Sequence, residues 1–170
     1  MKSRQFFCFF IAVLAGSFFC GCGPDASILQ KLAAQQSQID SLRQKLDQIK
    51  PGLGEIMAVI QTHHAKLWFA GINENWKLAD FEVKEIKEMV DMAENIETGR
   101  PETKFISMIN PPLDTIASAI QKNNTVEFKH GFSLLTAACN NCHKDNNFEF
   151  NVITIPVNQP VTNQDFRSQP

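Results

Sequence analysis

The sequence predicts an all-α protein: an antiparallel four-helix bundle, preceded by a coiled-coil-like stalk helix and followed by an extended C-terminal tail. Three observations predict this class. Apolar residues recur at steps of three and four along successive segments of the 170-residue chain, which is the helical period. Pro51, Gly52, Gly99 and Pro101 lie between these segments, where helices begin and end. The connections are short, which favours antiparallel neighbours.

Residues 1–21 are typical of a lipoprotein signal peptide. Lys2 and Arg4 precede an apolar run over residues 6–20, and this run is shorter than the roughly 20 residues of a membrane span. Its end resembles the lipobox of bacterial lipoproteins, with Cys22 after Gly21 as the lipid acceptor. We expect an exported protein, lipid-anchored to a bacterial membrane through Cys22 and facing the periplasm. The alternative is an ordinary cleaved signal.

The composition excludes some functions. Removal of residues 1–21 takes away Lys2 and Arg4 and no acidic residue, so the formal charge moves from -2 to -4. This balance does not favour binding to nucleic acid. The chain contains no Tyr, which excludes acid catalysis by tyrosine.

Residues 22–50 form the lipid-anchored linker and the stalk helix. An apolar seam with alternating steps of three and four comprises Ile28, Leu32, Ile39, Leu42, Leu46, Ile49 and Leu53, with Gln35 interrupting it. The period is that of a heptad repeat. From Ser27 to Ile49 such a helix would span about 35 Å. It is interpreted as a stalk that could self-associate, and the alternative is that it packs on its own domain.

Residues 51–146 are expected to fold as the bundle. The first of its helices begins at Leu53 and ends near Gly71, and the second runs from Trp76 to Gly99. The third begins at Pro111 and Pro112, because proline is tolerated in the first turn of a helix. Asn124 and Glu127 resemble a capping box at the start of the fourth helix. In residues 147–170 apolar and polar residues alternate at first, which predicts a short strand in a tail that packs on the bundle.

The fourth helix carries Cys139, Cys142 and His143, in the order Cys, two residues, Cys, His. This order is the attachment signature of a covalent c-type haem. On a helix, Cys139 and Cys142 share one face, so each can form a thioether to one vinyl group of the same porphyrin. His143 can then bind the iron as its proximal axial ligand. We expect one haem c.

Three other interpretations of these residues remain open. A redox-active cysteine pair normally follows a strand in a βαβ pattern, and none is visible. A zinc site would need two further ligands, for which the sequence offers His63, His64 and His130;. A disulfide between Cys139 and Cys142 would be strained in a helix and would leave His143 without a role.

The sixth ligand of the iron would come from the first bundle helix. His64 lies on the same face as Ile60 and Leu67, so it should point inward. His63 and Met57 are the alternative ligands. A further alternative is that the sixth position has no protein ligand. A histidine on an apolar face can also be a hydrogen-bonded core residue.

Residues 53 to about 145 resemble the cytochrome c-prime family of four-helix-bundle haem proteins, whose Cys, two residues, Cys, His motif lies on the last helix. A narrower resemblance is to a group of exported bacterial cytochrome-like lipoproteins with no settled activity. It is carried by the segments His64–Gly71, Asn75 with Trp76 and Leu78, Thr136–Cys139, and Asn163–Phe166. The departure from the c-prime pattern is the tail, because 27 residues follow His143.

These observations predict a membrane-tethered monohaem cytochrome that transfers single electrons to a redox partner of unknown identity. One alternative is a haem-based module that binds or senses diatomic gases. Another is a structural lipoprotein whose Cys pair binds a metal. We expect no enzymatic activity, because peroxidase chemistry usually needs a positioned arginine and the first bundle helix has none.

Overall fold

The computed structural model describes residues 25–96 and 99–168. The chain divides into two units, the first ending at Ile49 and the second beginning at Lys50. The described residues are helical, with no β-strand among them, which confirms the all-α class. Within the described ranges, no helix has the length and apolar content needed to cross a bilayer. The predicted signal peptide and Cys22 lie outside these ranges.

The first unit is one helix, α1, over Ala26–Ile49. Its N-terminus is capped by Asp25, whose carboxylate accepts a hydrogen bond from the main-chain nitrogen of Ser27 at 2.9 Å. No residue of α1 is buried, and the apolar seam is exposed, with Leu42 at 64% and Ile49 at 78%. The predicted helix is confirmed, and its self-association stays a prediction.

The second unit begins with two long helices, α2 over Leu53–Ile72 and α3 over Trp76–Ile96. The Glu55 carboxylate accepts a hydrogen bond from the nitrogen of Gly52 at 3.1 Å and so caps the start of α2;. Between α2 and α3, Glu74 takes a left-handed conformation with φ 57°, which turns the chain. Both helices are where the sequence predicts them.

A short helix that the sequence analysis missed, α4 over Thr103–Ile106, follows, with a 3-10 turn over Ser107–Ile109. Two longer helices complete the unit, α5 over Asn110–Gln121 and α6 over Thr125–Asp145. The side chain of Asn124 caps α6 by accepting from the nitrogens of Val126 and Glu127. The reciprocal half of the predicted capping box is replaced by a 3.4 Å ion pair between Glu127 and Lys122.

The four long helices of the second unit pack in a ring: α2 lies against α3 and α6, and α5 also lies against α3 and α6. Their shared core includes the fully buried side chains of Leu67, Ile86, Leu113 and Phe132. Burial of each such side chain contributes about 1.5–3 kcal/mol. The ring brings the inner face of α6, with its cysteines, against α2.

The predicted strand in the tail is wrong. After α6 the chain forms turns and irregular structure, and no described segment lies beside it as a strand. The main-chain groups of Ile153 bond instead to the side chain of Asn140. Further along, Phe166 is buried and its ring lies 5.8 Å from that of Phe69, so the tail contacts the helices both near its start and near its end.

Candidate functional site

A cavity of about 430 Å³ opens between α2, α6, the segment before α4 and the tail. Ligand cavities in proteins are commonly about 300–1,000 Å³. The lining includes Met57, Ile60 and His64 from α2, and Cys139, Cys142 and His143 from α6. The structure therefore brings the cysteine motif and two of the three candidate distal ligands to one cavity, although they are about 75 residues apart in the chain.

Cys139 and Cys142 are both free thiols that are partly buried. Burial, followed by the nearby Cys142, raises the pKa of the Cys139 thiol to about 11. Burial also raises the pKa of Cys142, as does the carboxylate of Asp145. Redox-active cysteine pairs have thiols with lowered pKa values. These two thiols are therefore protonated at neutral pH, which disfavours thiol redox chemistry.

His143 is oriented by the tail. Its Nδ1 lies 2.5 Å from the main-chain oxygen of Asn151. A carbonyl oxygen can only accept, so Nδ1 carries the proton and donates it. The lone pair of this ring therefore lies on Nε2, the nitrogen left for a metal ion. Histidines that bind metals usually give their other ring N–H to a carbonyl or carboxylate in this way.

His64 is 3% exposed and lines the same cavity from α2. Its Nε2 lies 3.0 Å from Oγ1 of Thr136, which donates its own proton to the carbonyl of Phe132 at 3.0 Å. His64 must therefore donate through Nε2, and its lone pair lies on Nδ1. Burial lowers the pKa of His64 to about 4, so the imidazole is neutral at neutral pH, as iron ligation requires.

The structure places His63 elsewhere. Its Nδ1 lies 2.6 Å from Oε2 of Glu82, a fully buried carboxylate on α3. The other oxygen of that carboxylate, Oε1, has no hydrogen-bond partner in the part of the chain that the structure describes. His63 is not among the residues that line the cavity. His130, on α6, is exposed.

Two charged residues at the cavity were missed by the sequence analysis. Arg100 and Glu102 line it from the segment between α3 and α4, and their side chains form a 3.0 Å ion pair. The hydrogen bond from Arg100 holds the pKa of Glu102 below its usual range. Arg100 lies outside α2, so the lack of arginine in that helix gave no indication of it. No local pattern marks Arg100, because its position depends on how the connection folds back over the bundle.

The donor groups of the cavity fit a haem. The two thiols and the Nε2 of His143 come from one helix, and the facing wall is apolar, with Leu53, Ile60 and Ile106. Among residues 25–96 and 99–168 there is no group of three His, Cys, Asp or Glu side chains that could hold a metal ion. A haem iron takes four ligands from its porphyrin, so it needs at most two from the protein.

Comparison with known proteins does not identify a family. A scan against protein-family models matched none, and searches of curated proteins and of solved structures returned no match. The function is therefore inferred from the residues of the cavity.

Proposed function

We propose that this chain is a membrane-tethered monohaem c-type cytochrome that transfers single electrons in the periplasm. The observation that supports it best is the arrangement of the Cys, two residues, Cys, His motif. Both thiols and the imidazole line one cavity, and the Nδ1–H of His143 is donated to the carbonyl of Asn151. This hydrogen bond is the one expected of an iron-binding histidine.

Cys139 and Cys142 would hold the haem. In each thioether, the S–H bond adds across one vinyl group, so sulfur bonds to one vinyl carbon and the hydrogen goes to the other. No atom is lost and no oxidant is needed, and both thiols are free and protonated. When bound, the haem supplies a one-electron couple. His143 would bind the iron, and the apolar residues of α2 and α4 that line the cavity would keep water away from the haem.

Arg100 would bind the carboxylates of the haem. Guanidinium groups bind carboxylates through paired, charge-assisted hydrogen bonds. The guanidinium of Arg100 already holds a carboxylate, that of Glu102, at the edge of the cavity. A haem carboxylate would exchange with Glu102 or share the guanidinium with it.

The proposed fold is an antiparallel four-helix bundle, as the resemblance to the c-prime family implies. The ring of contacts among α2, α3, α5 and α6 supports it. The connections support it as well, since only Asn73 to Asn75 separate α2 from α3, and Lys122 to Asn124 separate α5 from α6. Such short connections return the chain beside the helix it has just left.

Export and lipid anchoring are proposed from the sequence. Lys2, Arg4 and the apolar run that follows suggest a signal, and Cys22 would carry the lipid. In the proposed mature chain α1 would follow the anchor in sequence and precede the haem domain. The redox partner would then be a protein that reaches the same membrane surface.

The test is expression in a bacterium that has cytochrome-maturation machinery, followed by mass spectrometry. The expected result is a mass higher than that of the processed, acylated chain by one haem, retained in denaturant. The Cys139→Ala/Cys142→Ala variant should lose the haem in denaturant. His143→Ala should keep it but lose axial ligation, whereas His130→Ala, its exposed counterpart on α6, should match the wild type. A wild-type mass with no haem would refute the proposal.

A second candidate is a haem-based module that binds diatomic gases. The hydrogen bond of His64 to Thr136 favours it, because it leaves Nδ1 as the one nitrogen of His64 that could bind iron, and a haem beyond the reach of Nδ1 would keep an open sixth position. The two candidates differ in their spectra. A ferrous protein that is six-coordinate and low-spin and does not bind carbon monoxide would rule out the gas-binding function. A high-spin form that binds carbon monoxide would favour it over electron transfer.

If His64 is the sixth ligand, His64→Ala should convert the iron from low-spin to high-spin. An unchanged spectrum would reject His64, and Met57→Ala would then test the other candidate ligand of α2 that lines the cavity.

A further inference from the structure

The tail closes a loop over the end of α6. Asn147 has φ 63° and reverses the chain, a conformation that asparagine adopts more readily than most residues. The nitrogen of Phe148 then donates to the carbonyl of His143 at 2.7 Å, and the nitrogen of Asn151 donates to the carbonyl of Phe148 at 2.8 Å. These two turns bring the carbonyl of Asn151 back to the ring of His143.

The loop is fastened by Asn140, the first spacer residue between the two cysteines. Its Nδ2 donates to the carbonyl of Ile153 at 2.9 Å, and its Oδ1 accepts from the nitrogen of Ile153 at 2.8 Å. The amide therefore satisfies both main-chain groups of one tail residue. Asn140 lies three positions before His143, so the two side chains share a side of α6.

The tail segment needs such a contact. It has no helix or strand of its own from Phe148 to Ile153, and fixing each residue of such a segment costs conformational entropy. One hydrogen bond to His143 stabilises the segment by less than the entropy cost of fixing several residues. The two hydrogen bonds from Asn140 to Ile153 supply further stabilisation. Ile153 lies only two residues after Asn151, so these bonds act close to the carbonyl that must stay in place.

We propose that Asn140 is a positioning residue for the iron ligand His143, an inference that depends on the proposed haem function. Asn140 fixes Ile153, which fixes the carbonyl of Asn151, which in turn holds the Nδ1–H of His143. A histidine that donates Nδ1–H strongly is a more basic ligand, and a more basic ligand favours ferric over ferrous iron. The spacer and the tail thereby set the reduction potential of the iron.

The chain offers a matched control. Asn141 is the second spacer residue, it has the same chemistry, and it is exposed. Asn140→Ala and Asn141→Ala both preserve the spacing of the cysteines and His143. The carbonyl of Asn151 belongs to the main chain and cannot be removed by substitution. Its hydrogen bond to His143 is therefore tested through Asn140, which holds the segment in place.

The experiment uses the haem-loaded protein. Hydrogen exchange of the Ile153 amide and a redox titration are measured for the wild type, Asn140→Ala and Asn141→Ala, after mass spectrometry has shown that each carries haem. Loss of a partner that orients a metal ligand typically costs about tenfold or more in metal affinity, and we expect a loss of about this size for ferric iron, the state that the more basic ligand favours. Asn140→Ala should therefore speed exchange at Ile153 and lower the ferric-to-ferrous ratio at a fixed potential about tenfold, a rise of about 59 mV for one electron.

Asn141→Ala should leave both quantities at the wild-type values. If the Ile153 amide of Asn140→Ala exchanges at the wild-type rate, the inference is overturned. It is also overturned if that amide exchanges faster while the reduction potential of Asn140→Ala equals that of Asn141→Ala. A wild type without haem would instead refute the proposed function. If Asn140→Ala does not load haem, Ile153→Pro removes the same N–H from the other side and should raise the potential by a similar amount. An unchanged potential there would also overturn the inference.

Discussion

His64 and Thr136, 72 residues apart in the chain, are joined by a hydrogen bond of 3.0 Å from Nε2 to Oγ1. The bond links α2 to α6 across the buried side of the cavity. It fixes the tautomer of His64, since the Thr136 proton is already given to the carbonyl of Phe132. The imidazole ring also packs on the ring of Phe132, with centroids 4.4 Å apart. This one contact therefore contributes to core packing and to the chemistry of the cavity.

The haem-free protein should lose stability in acid because of His64. The unfolded histidine has a pKa of about 6.5, and burial lowers the folded pKa to about 4. As the pH falls below 6.5 the unfolded chain binds the proton first, so the free energy of unfolding falls by about 1.4 kcal/mol per unit, or about 3 kcal/mol by pH 4. Urea unfolding at pH 7 and pH 4.5 measures it. His64→Gln should show a shallower pH dependence, and an equal one would contradict this assignment.

Thr136→Val should destabilise the haem-free protein by about 1–3 kcal/mol, because it leaves the buried Nε2–H of His64 without an acceptor. Valine keeps the shape of threonine, so lost packing contributes little. Thr136→Ser retains the hydroxyl and serves as the control. Chemical denaturation at pH 7 gives both values. Equal stability of the Val and Ser variants would mean that the hydrogen bond contributes nothing.

Gly71→Ala should destabilise the second unit. A Cβ at Gly71 would lie 2.0 Å from Cζ of Phe128, whose side chain is fully buried. The ring of Phe128 is held by Trp68 and Trp76, with centroids 6.4 and 6.1 Å away, so it cannot move without repacking.

The expected loss for Gly71→Ala is about 1–3 kcal/mol, as for other overpacked cores. Gly54→Ala is the control, because nothing lies within 4 Å of its Cβ. In a helix this change should be neutral or stabilising by up to about 1 kcal/mol. Thermal unfolding of the haem-free variants ranks them. A Gly71→Ala variant as stable as Gly54→Ala would show that α2 and α6 accommodate the added methyl group without loss of stability.

His63→Ala should be strongly destabilising, by about 3 kcal/mol, because Glu82 would become a buried carboxylate with no partner. Among the described residues its Oε1 has no donor, and Nδ1 of His63 lies 2.6 Å from Oε2. Replacing both residues, in His63→Leu/Glu82→Leu, should recover most of the loss, since well-packed apolar pairs can replace buried ion pairs.

Chemical denaturation of the single and double variants measures this coupling, with His130→Ala, exposed on α6, as the control. If His63→Ala costs no more than His130→Ala, the buried pair is not needed for stability.

Much of the fold was predictable because it is local. The helical period and the positions of proline and glycine predicted α1, α2, α3, α5 and α6 close to their observed bounds. The predicted strand was wrong because strands need a partner, and alternation of apolar residues in the tail does not supply one. The short helix α4 and the position of Arg100 have no local signal.

For the site, the sequence determined the chemistry of one helix face. The order of Cys139, Cys142 and His143 depends only on the spacing along α6, so a haem attachment motif can be recognised without any tertiary contact. Position along α2 likewise predicted that His64 faces inward.

Only the tertiary structure decided which groups meet from distant parts of the chain. It placed His63 on Glu82 instead of at the cavity, it joined His64 to Thr136, and it brought the carbonyl of Asn151 to His143. The physical reason is that these partners are selected by packing of whole helices and by closure of the tail, which depend on side-chain volumes and main-chain hydrogen bonds far apart in sequence. Local periodicity carries no information about either.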